Sequence, residues 1–114
     1  MIVKVVNKKD NIVVKNNNDI KMYIGRGGFL GNPFSMKNNS LKERERVIKE
    51  YEKLFFSEKF SNKRKLLLSK VRGKENIYLE CFCSPLPCHG DVIKRFLEEE
   101  LWNLNKLKFK DILL

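Results

Sequence analysis

Residues 77–91 read Ile-Tyr-Leu-Glu-Cys-Phe-Cys-Ser-Pro-Leu-Pro-Cys-His-Gly-Asp, the most distinctive stretch of the chain. Its part from Cys81 to Asp91 gathers all three cysteines of the chain, its single histidine and two of its three prolines. Apolar residues lead into it from Ile77, and an amphipathic helical pattern leaves it at Asp91. The stretch therefore indicates a turn between a buried strand and a helix, a position where α/β proteins commonly carry their chemistry.

The strand before this turn is the clearest one in the chain, running from Ile77 to Cys83. Alternation places two sets of side chains on opposite faces: Ile77, Leu79, Cys81 and Cys83 on one, Tyr78, Glu80 and Phe82 on the other. Pro85 and Pro87 end the strand. The helix that follows starts between Cys88 and Asp91, where the Asp91 carboxylate suits the free N–H groups of a first turn. Its predicted buried side consists of Val92, Ile93, Phe96, Leu97, Leu101 and Trp102.

The earlier part of the chain predicts strands first and helices second. Strands are expected over Ile2–Val6 and Asn11–Lys15, and a third ends at Ile24 after the turn-forming residues 16–19. Ser40 followed by Glu43 is a capping-box pattern that begins a helix running to about Phe56. A shorter helix is expected from Asn62 to Val71, ended by Gly73.

The predicted order is β-β-β-α-α-β-α, and the long helical connection is the kind that parallel strands require. We therefore expect a small single-domain Rossmann-like α/β sandwich, with a mixed or mostly parallel sheet flanked by helices. The domain covers residues 1–114, with a core at 1–105. For the tail at 106–114, an edge strand, a small helix and a partner surface all stay open.

Composition narrows the class of protein further. The 114 residues are 42% hydrophobic, which argues against a disordered chain. The net charge of +10 comes from scattered lysines, which attract anions in general without selecting one. The sequence has no signal-peptide pattern and no apolar run near the roughly 20 residues that span a bilayer, so we expect a cytoplasmic protein with no membrane partner. In that compartment the cysteines would be thiols or metal ligands.

A second distinctive segment lies at residues 22–34, where four glycines fall within residues 25–31. Such density indicates positive φ angles or a close approach of the main chain to something bound. In the second interpretation, backbone N–H groups and Arg26 hold phosphate, Asn32 reads a base or ribose, and an aromatic ring stacks on a base. The residues assigned to this ligand site are Tyr23, Gly25, Arg26, Gly27, Gly31, Asn32, Pro33 and Phe34, with Gly90 from the second turn. Because both segments follow strand ends, we expect them to face one pocket.

These motifs occur together in one order: Tyr23-Ile24-Gly25-Arg26, then Leu30-Gly31-Asn32-Pro33-Phe34, then Gly73-Lys74, then Cys81-x-Cys83-x-Pro85-Leu86-Pro87-Cys88-His89-Gly90-Asp91-Val92. From about Val6 to Leu97 the chain resembles the bacterial and phage family catalogued as domain of unknown function 4326. Phe82 stands where many relatives are expected to have tryptophan. The resemblance implies a bacterial or phage-infected cell as the setting, and it implies no reaction. Nucleotide-binding and nucleoside-processing families share the layout only by analogy of fold.

Three residues are candidates for catalysis if the pocket is an active site: Cys88 as nucleophile, His89 as general acid or base, and Asp91. Asp91 would orient a ribose or stabilise the charge that develops during cleavage of an N-glycosidic bond. The enzyme would then be a hydrolase or a glycosyl or nucleoside transferase acting on a nucleotide. The other interpretation of Asp91 is a helix cap. A different hypothesis for the same pocket is a protein that sequesters a signalling nucleotide without cleaving it, as an anti-defence protein would.

Two alternatives to a nucleotide pocket stay open. Cys81, Cys83, Cys88 and His89 have the right chemistry for structural zinc, but their spacing differs from that of zinc knuckles, so no cofactor is expected. In the competing interpretation Cys81 and Cys83 are core residues. A basic nucleic-acid-binding protein is the weaker alternative, because no helix has a continuously basic face. The sequence leaves the oligomeric state open, including a homo-oligomer.

Overall fold

The sheet is built around the strand that the sequence marks most clearly. In the computed structural model, which describes residues 1–100, strand β3 (Asn76–Cys81) lies between β1 (Ile2–Asn7) and β2 (Asp19–Tyr23). Both outer strands pair with β3 in parallel. Leu79, for example, lies opposite Val5 on one side and Met22 on the other. The register therefore aligns apolar residues of all three strands on one face of the sheet.

Three helices cover this apolar face: α1 (Leu41–Phe55), α2 (Ser61–Val71) and α3 (residues 90–100). Their buried side chains form one core with the sheet, in which Phe55 is fully buried. Its ring lies 5.2 Å from that of Phe96 on α3 and 6.3 Å from that of Phe60, which precedes α2. The aromatic contacts tie the helices to each other as well as to the sheet. The predicted α/β class, with a parallel sheet flanked by helices, is confirmed.

The helix boundaries agree closely with the sequence. Ser40 has extended backbone angles, and its hydroxyl accepts a hydrogen bond of 3.2 Å from the Glu43 N–H, as expected of a helix cap. The Glu43 carboxylate does not return this bond and instead accepts from the Lys37 N–H. After α2 the chain turns at Gly73, where φ is +76°. The predicted helix starts and stops in this region are therefore confirmed to within a residue or two.

The predicted strand Asn11–Lys15 is wrong, because residues 11–18 contain no strand. After a single turn of 3-10 helix at Lys8–Asp10, this segment carries the chain from β1 to β2, which lie on opposite sides of β3. The Lys21 ammonium donates to the Ile12 carbonyl at 3.0 Å, from the sheet face opposite the helices. A chain that must cross β3 in this short span cannot return beside β1 as a hairpin. Within this segment Val13 is exposed, and its neighbours Ile12 and Val14 are half-buried.

Strand β3 ends at Cys81, two residues before the predicted end at Cys83. The predicted residues Leu101 and Trp102 of the last helix, and the tail at 106–114, lie outside the described residues. No helix within residues 1–100 is both long enough and apolar enough to cross a membrane.

Candidate ligand-binding site

A cavity of about 280 Å³ opens at the carboxyl ends of β2 and β3. The glycine-rich loop, the cysteine-containing turn and one side of α1 form its walls. Its lining consists of Tyr23, Gly25, Arg26, Asn32, Phe34, Met36, Arg44, Val47, Ile48, Cys81, Phe82, Cys83, Pro87, Cys88 and His89. The two segments singled out by the sequence thus meet at one cavity, in the position where open α/β sheets bind ligands.

The glycine-rich loop folds tightly upon itself. The N–H of Gly28 donates to the Gly25 carbonyl, and the N–H of Gly31 donates to the Gly28 carbonyl, each at 3.1 Å. A Cβ at Gly25 would overlap the Tyr23 ring, and one at Gly31 would lie 2.7 Å from the Gly25 oxygen. Gly27 has a φ of +86°. Glycine is therefore required here by the loop's own packing and turn geometry, and the N–H groups of Gly28 and Gly31 are already engaged.

The polar side chains of this loop are held in place by hydrogen bonds. Asn32 joins the loop to α1, because its Nδ2 donates to the Val47 carbonyl at 3.2 Å while its Oδ1 accepts from the Phe34 N–H at 2.9 Å. The Tyr23 hydroxyl donates to the Arg26 carbonyl at 3.1 Å. Arg26 itself is exposed, and its Nη2 donates to the Ser35 hydroxyl at 3.0 Å. The loop therefore presents a fixed amide, an aromatic ring and a guanidinium to the cavity.

His89 connects the start of α3 to the end of β2. It is 7% exposed, and its Nε2 lies 2.5 Å from the Ile24 carbonyl oxygen. Because a carbonyl only accepts, Nε2 must carry the proton, which leaves Nδ1 without a proton in the neutral ring. Burial lowers the pKa of His89, against a smaller opposing effect of the Ile24 bond. The imidazole is consequently neutral at physiological pH and packs edge-on against Tyr51, with ring centroids 4.8 Å apart.

Cys88 and Asp91 together cap α3. The Asp91 carboxylate accepts from the Cys88 N–H at 3.1 Å, and the Cys88 sulfur accepts from the Gly90 N–H at 3.3 Å. This reciprocal arrangement resembles a capping box in which cysteine takes the place of serine. Asp91 is exposed and does not line the cavity, so its observed contact is the cap.

The two buried cysteines lie side by side at the cavity wall. The sulfur atoms of Cys81 and Cys88 are 3.5 Å apart. The hydrogen bond between the two sulfur atoms lowers the pKa of Cys81 despite its burial. The same hydrogen bond raises the pKa of Cys88. These opposite shifts favour Cys81 over Cys88 as the thiolate of the pair.

Several residues predicted for the site do not line the cavity: Gly27, Gly31, Pro33, Gly90 and Asp91. Gly90 has a packing role instead, since a Cβ there would lie 2.8 Å from the Ile24 Cδ1.

Conversely, sequence reasoning missed the wall supplied by α1, where Arg44, Val47 and Ile48 form one helical stripe. The spacing of these residues was a usable signal, but it did not reveal which neighbour the stripe faces. Arg44 donates to the Pro87 carbonyl at 3.2 Å and so joins α1 to the cysteine turn.

Within residues 1–100, no group of three or more His, Cys, Asp or Glu side chains is arranged to hold a metal ion. Cys81 and Cys88 contact each other, whereas the His89 Nε2 contacts a backbone carbonyl. This arrangement gives the zinc alternative no support.

The family model described as Domain of unknown function (DUF4326) matches residues 5–99. The chain belongs to this family. The DUF4326 match includes the glycine-rich loop, α1 and the cysteine turn, and therefore every residue that lines the cavity. No curated protein and no solved structure shows significant similarity to the chain.

Proposed function

We propose that the protein binds a nucleotide or nucleoside phosphate in this cavity. One observation carries the proposal: among residues 1–100, the lining contains two arginines, Arg26 and Arg44, and no aspartate or glutamate. Guanidinium groups bind phosphate through paired, charge-assisted hydrogen bonds, and an unopposed pair of them favours an anion.

The remaining walls suit the other parts of such a ligand. Tyr23, Phe34 and Phe82 provide rings on which a base can stack, and Asn32 provides an amide for a polar edge. The volume of about 280 Å³ is near the lower end of small-molecule pockets, roughly 300 Å³, and favours a mononucleotide over a dinucleotide. A small signalling nucleotide falls within this class.

The contacts of the candidate catalytic residues favour holding the ligand over cleaving it. His89 is neutral, with its Nε2 proton bonded to the Ile24 carbonyl, and the Asp91 carboxylate bonds to the Cys88 N–H. His89 therefore cannot donate its Nε2 proton without losing its contact with Ile24, and Asp91 lies outside the cavity lining. We therefore propose a binding protein that sequesters its ligand.

Equilibrium binding to a panel of mononucleotides and nucleosides tests this proposal. Arg26→Ala and Arg44→Ala should each weaken binding of a nucleoside phosphate by roughly tenfold to a hundredfold, the loss typical of a charge-assisted hydrogen bond. Arg72→Ala is the matched control, because Arg72 is exposed beyond α2 and away from the cavity. Equal losses in all three variants would contradict a specific site.

The fate of the ligand separates binding from catalysis. After long incubation, the nucleotide recovered from the protein should be intact by mass spectrometry. Conversion of a panel member to base or dephosphorylated product would contradict sequestration. Steeply salt-dependent affinity for random oligonucleotides, unchanged in Arg26→Ala, would instead indicate a nucleic-acid-binding protein.

A further inference from the structure

Cys81 and Cys88 form a pair of thiols with no assigned role in ligand binding. Cys81 lies at the end of β3 and Cys88 at the cap of α3, so their proximity of 3.5 Å depends on the folded turn between them. Both are buried from bulk solvent, yet both line the cavity. A small reagent that enters the cavity therefore meets both sulfur atoms at once.

The surroundings of the two sulfur atoms differ. Cys88 also accepts a hydrogen bond from the Gly90 N–H, so its sulfur is fixed at the helix cap. Cys81 contacts the Cys88 sulfur, and this contact lowers the pKa of Cys81. Donors around one sulfur stabilise its thiolate, while the partner retains its proton. The arrangement thus favours a Cys81 thiolate next to a Cys88 thiol.

We propose that Cys81 and Cys88 are a redox-active dithiol, which a hydroperoxide entering the cavity oxidises to a disulfide, with Cys81 as the sulfur that attacks the peroxide. This proposal stands on the geometry of the sulfur pair and does not depend on nucleotide binding.

The chemistry proceeds in two steps. The Cys81 thiolate attacks one peroxide oxygen, the O–O bond breaks, and the departing oxygen leaves as hydroxide or alkoxide, which gives Cys81 sulfenic acid. The Cys88 sulfur then attacks the Cys81 sulfur, the S–O bond breaks, and the oxygen leaves as water with the Cys88 proton. Two electrons pass from the sulfur pair to the peroxide, and no other reactant is required.

The folded chain needs only a small movement to close the bond. A disulfide is about 2.05 Å long, so the sulfur atoms must approach by about 1.5 Å from their separation of 3.5 Å. The intervening residues 82–89 contain no strand or α-helix that would resist such a shift. The third cysteine, Cys83, lines the same cavity, but its sulfur contacts no other cysteine sulfur among the described residues. Cys83 therefore serves as the internal control.

Treatment with hydrogen peroxide, followed by denaturing alkylation and peptide mapping, tests the proposal on the unaltered protein. The expected product has lost two thiols and contains a Cys81–Cys88 disulfide, with Cys83 still alkylated. Cys83→Ser should give the same disulfide at a similar rate. A disulfide that includes Cys83, or retention of all three thiols under conditions that oxidise glutathione, would overturn the proposal.

Single-thiol variants test which sulfur attacks. In Cys83→Ser/Cys88→Ser, Cys81 should form a sulfenic acid that a dimedone probe traps, on the order of tenfold faster than Cys88 reacts in Cys81→Ser/Cys83→Ser. Cys88→Ala in place of Cys88→Ser removes the hydrogen-bond donor and should slow trapping of Cys81. Faster trapping at Cys88 would overturn the assignment of roles. Circular dichroism checks that each variant is folded. Peptide mapping of the unaltered protein identifies the cysteines of the disulfide without relying on any variant.

Discussion

His89 joins two parts of the chain that lie far apart in the sequence. Its Nε2 donates to the carbonyl of Ile24, and the N–H of Ile24 donates to the Glu80 carbonyl at 2.8 Å. The end of β2 is therefore fastened on one side to β3 and on the other to the start of α3. The histidine that looked like an acid or base in the sequence has a clear structural role in these contacts.

This buried histidine predicts a pH dependence of stability. Its pKa is lower in the folded protein than the ordinary value of 6.5, so below about pH 6.5 the unfolded chain binds more protons. The free energy of unfolding should then decrease as pH falls from 6.5 toward the folded pKa. Thermal unfolding at pH 5 and pH 7 measures it, and the difference should shrink in His89→Gln, which retains an amide donor. An unchanged difference in that variant would contradict the assignment to His89.

Gly90 is the residue that lets α3 approach the sheet. A Cβ at this position would lie 2.8 Å from the Ile24 Cδ1 and 3.1 Å from the Val5 Cγ1. Gly90→Ala should therefore destabilise the fold by about 1–3 kcal/mol, as overpacking typically does. Denaturant unfolding measures the change.

The conflict with Ile24 can be relieved specifically. Ile24→Val removes the Cδ1 atom, so the double variant Gly90→Ala/Ile24→Val should lose less stability than the sum of the two single changes. Strict additivity would contradict the steric explanation.

Among the elements, α1 illustrates what the sequence predicts well and what it does not. Ser40, Glu43 and the apolar spacing identified its start and length, because these signals are local. Its contribution to the cavity through Arg44 was missed, because an amphipathic pattern identifies a buried face and not the element opposite. The glycine and cysteine segments were predicted to meet because both follow strands of one parallel sheet.

The cap of α1 should contribute measurably to the stability of the fold. Ser40→Ala removes the acceptor for the Glu43 N–H and should cost about 1 kcal/mol of the free energy of unfolding. Ser69→Ala, at an exposed position within α2, is the matched control and should be neutral or slightly stabilising. A comparable loss in both variants would mean that the cap contributes nothing.

For the whole molecule, the net charge of +10 predicts how a ligand arrives. A positive surface attracts anions over distances near the Debye length, about 10 Å at 0.1 M salt. The association rate of a mononucleotide should fall as salt is raised, whereas that of the corresponding neutral nucleoside should stay constant. Stopped-flow binding at several salt concentrations compares the two, and an equal response would exclude steering by the protein's field.

The strand predicted at Asn11–Lys15 marks the limit of sequence reasoning about the whole fold. Ile12, Val13 and Val14 have the β-branched composition typical of a strand, but a strand also needs a partner, and the path of the whole chain determines the pairing. Here that path must cross β3. The central strand was predictable because its signals are local: residues 77–83 alternate between two faces, and Pro85 and Pro87 end the strand.

The order of the sheet has a consequence for biosynthesis. β1 and β2 both pair with β3, as at Ile2 and Asp19 opposite Asn76, and they do not pair with each other. A growing polypeptide on the ribosome therefore has no sheet until residue 76 and its successors have emerged. All strand pairing with β1 must then bridge most of the chain, a topology that slows folding. During translation, the apolar side of β1 stays exposed until β3 has emerged. A nascent-chain chaperone would bind β1 during this interval.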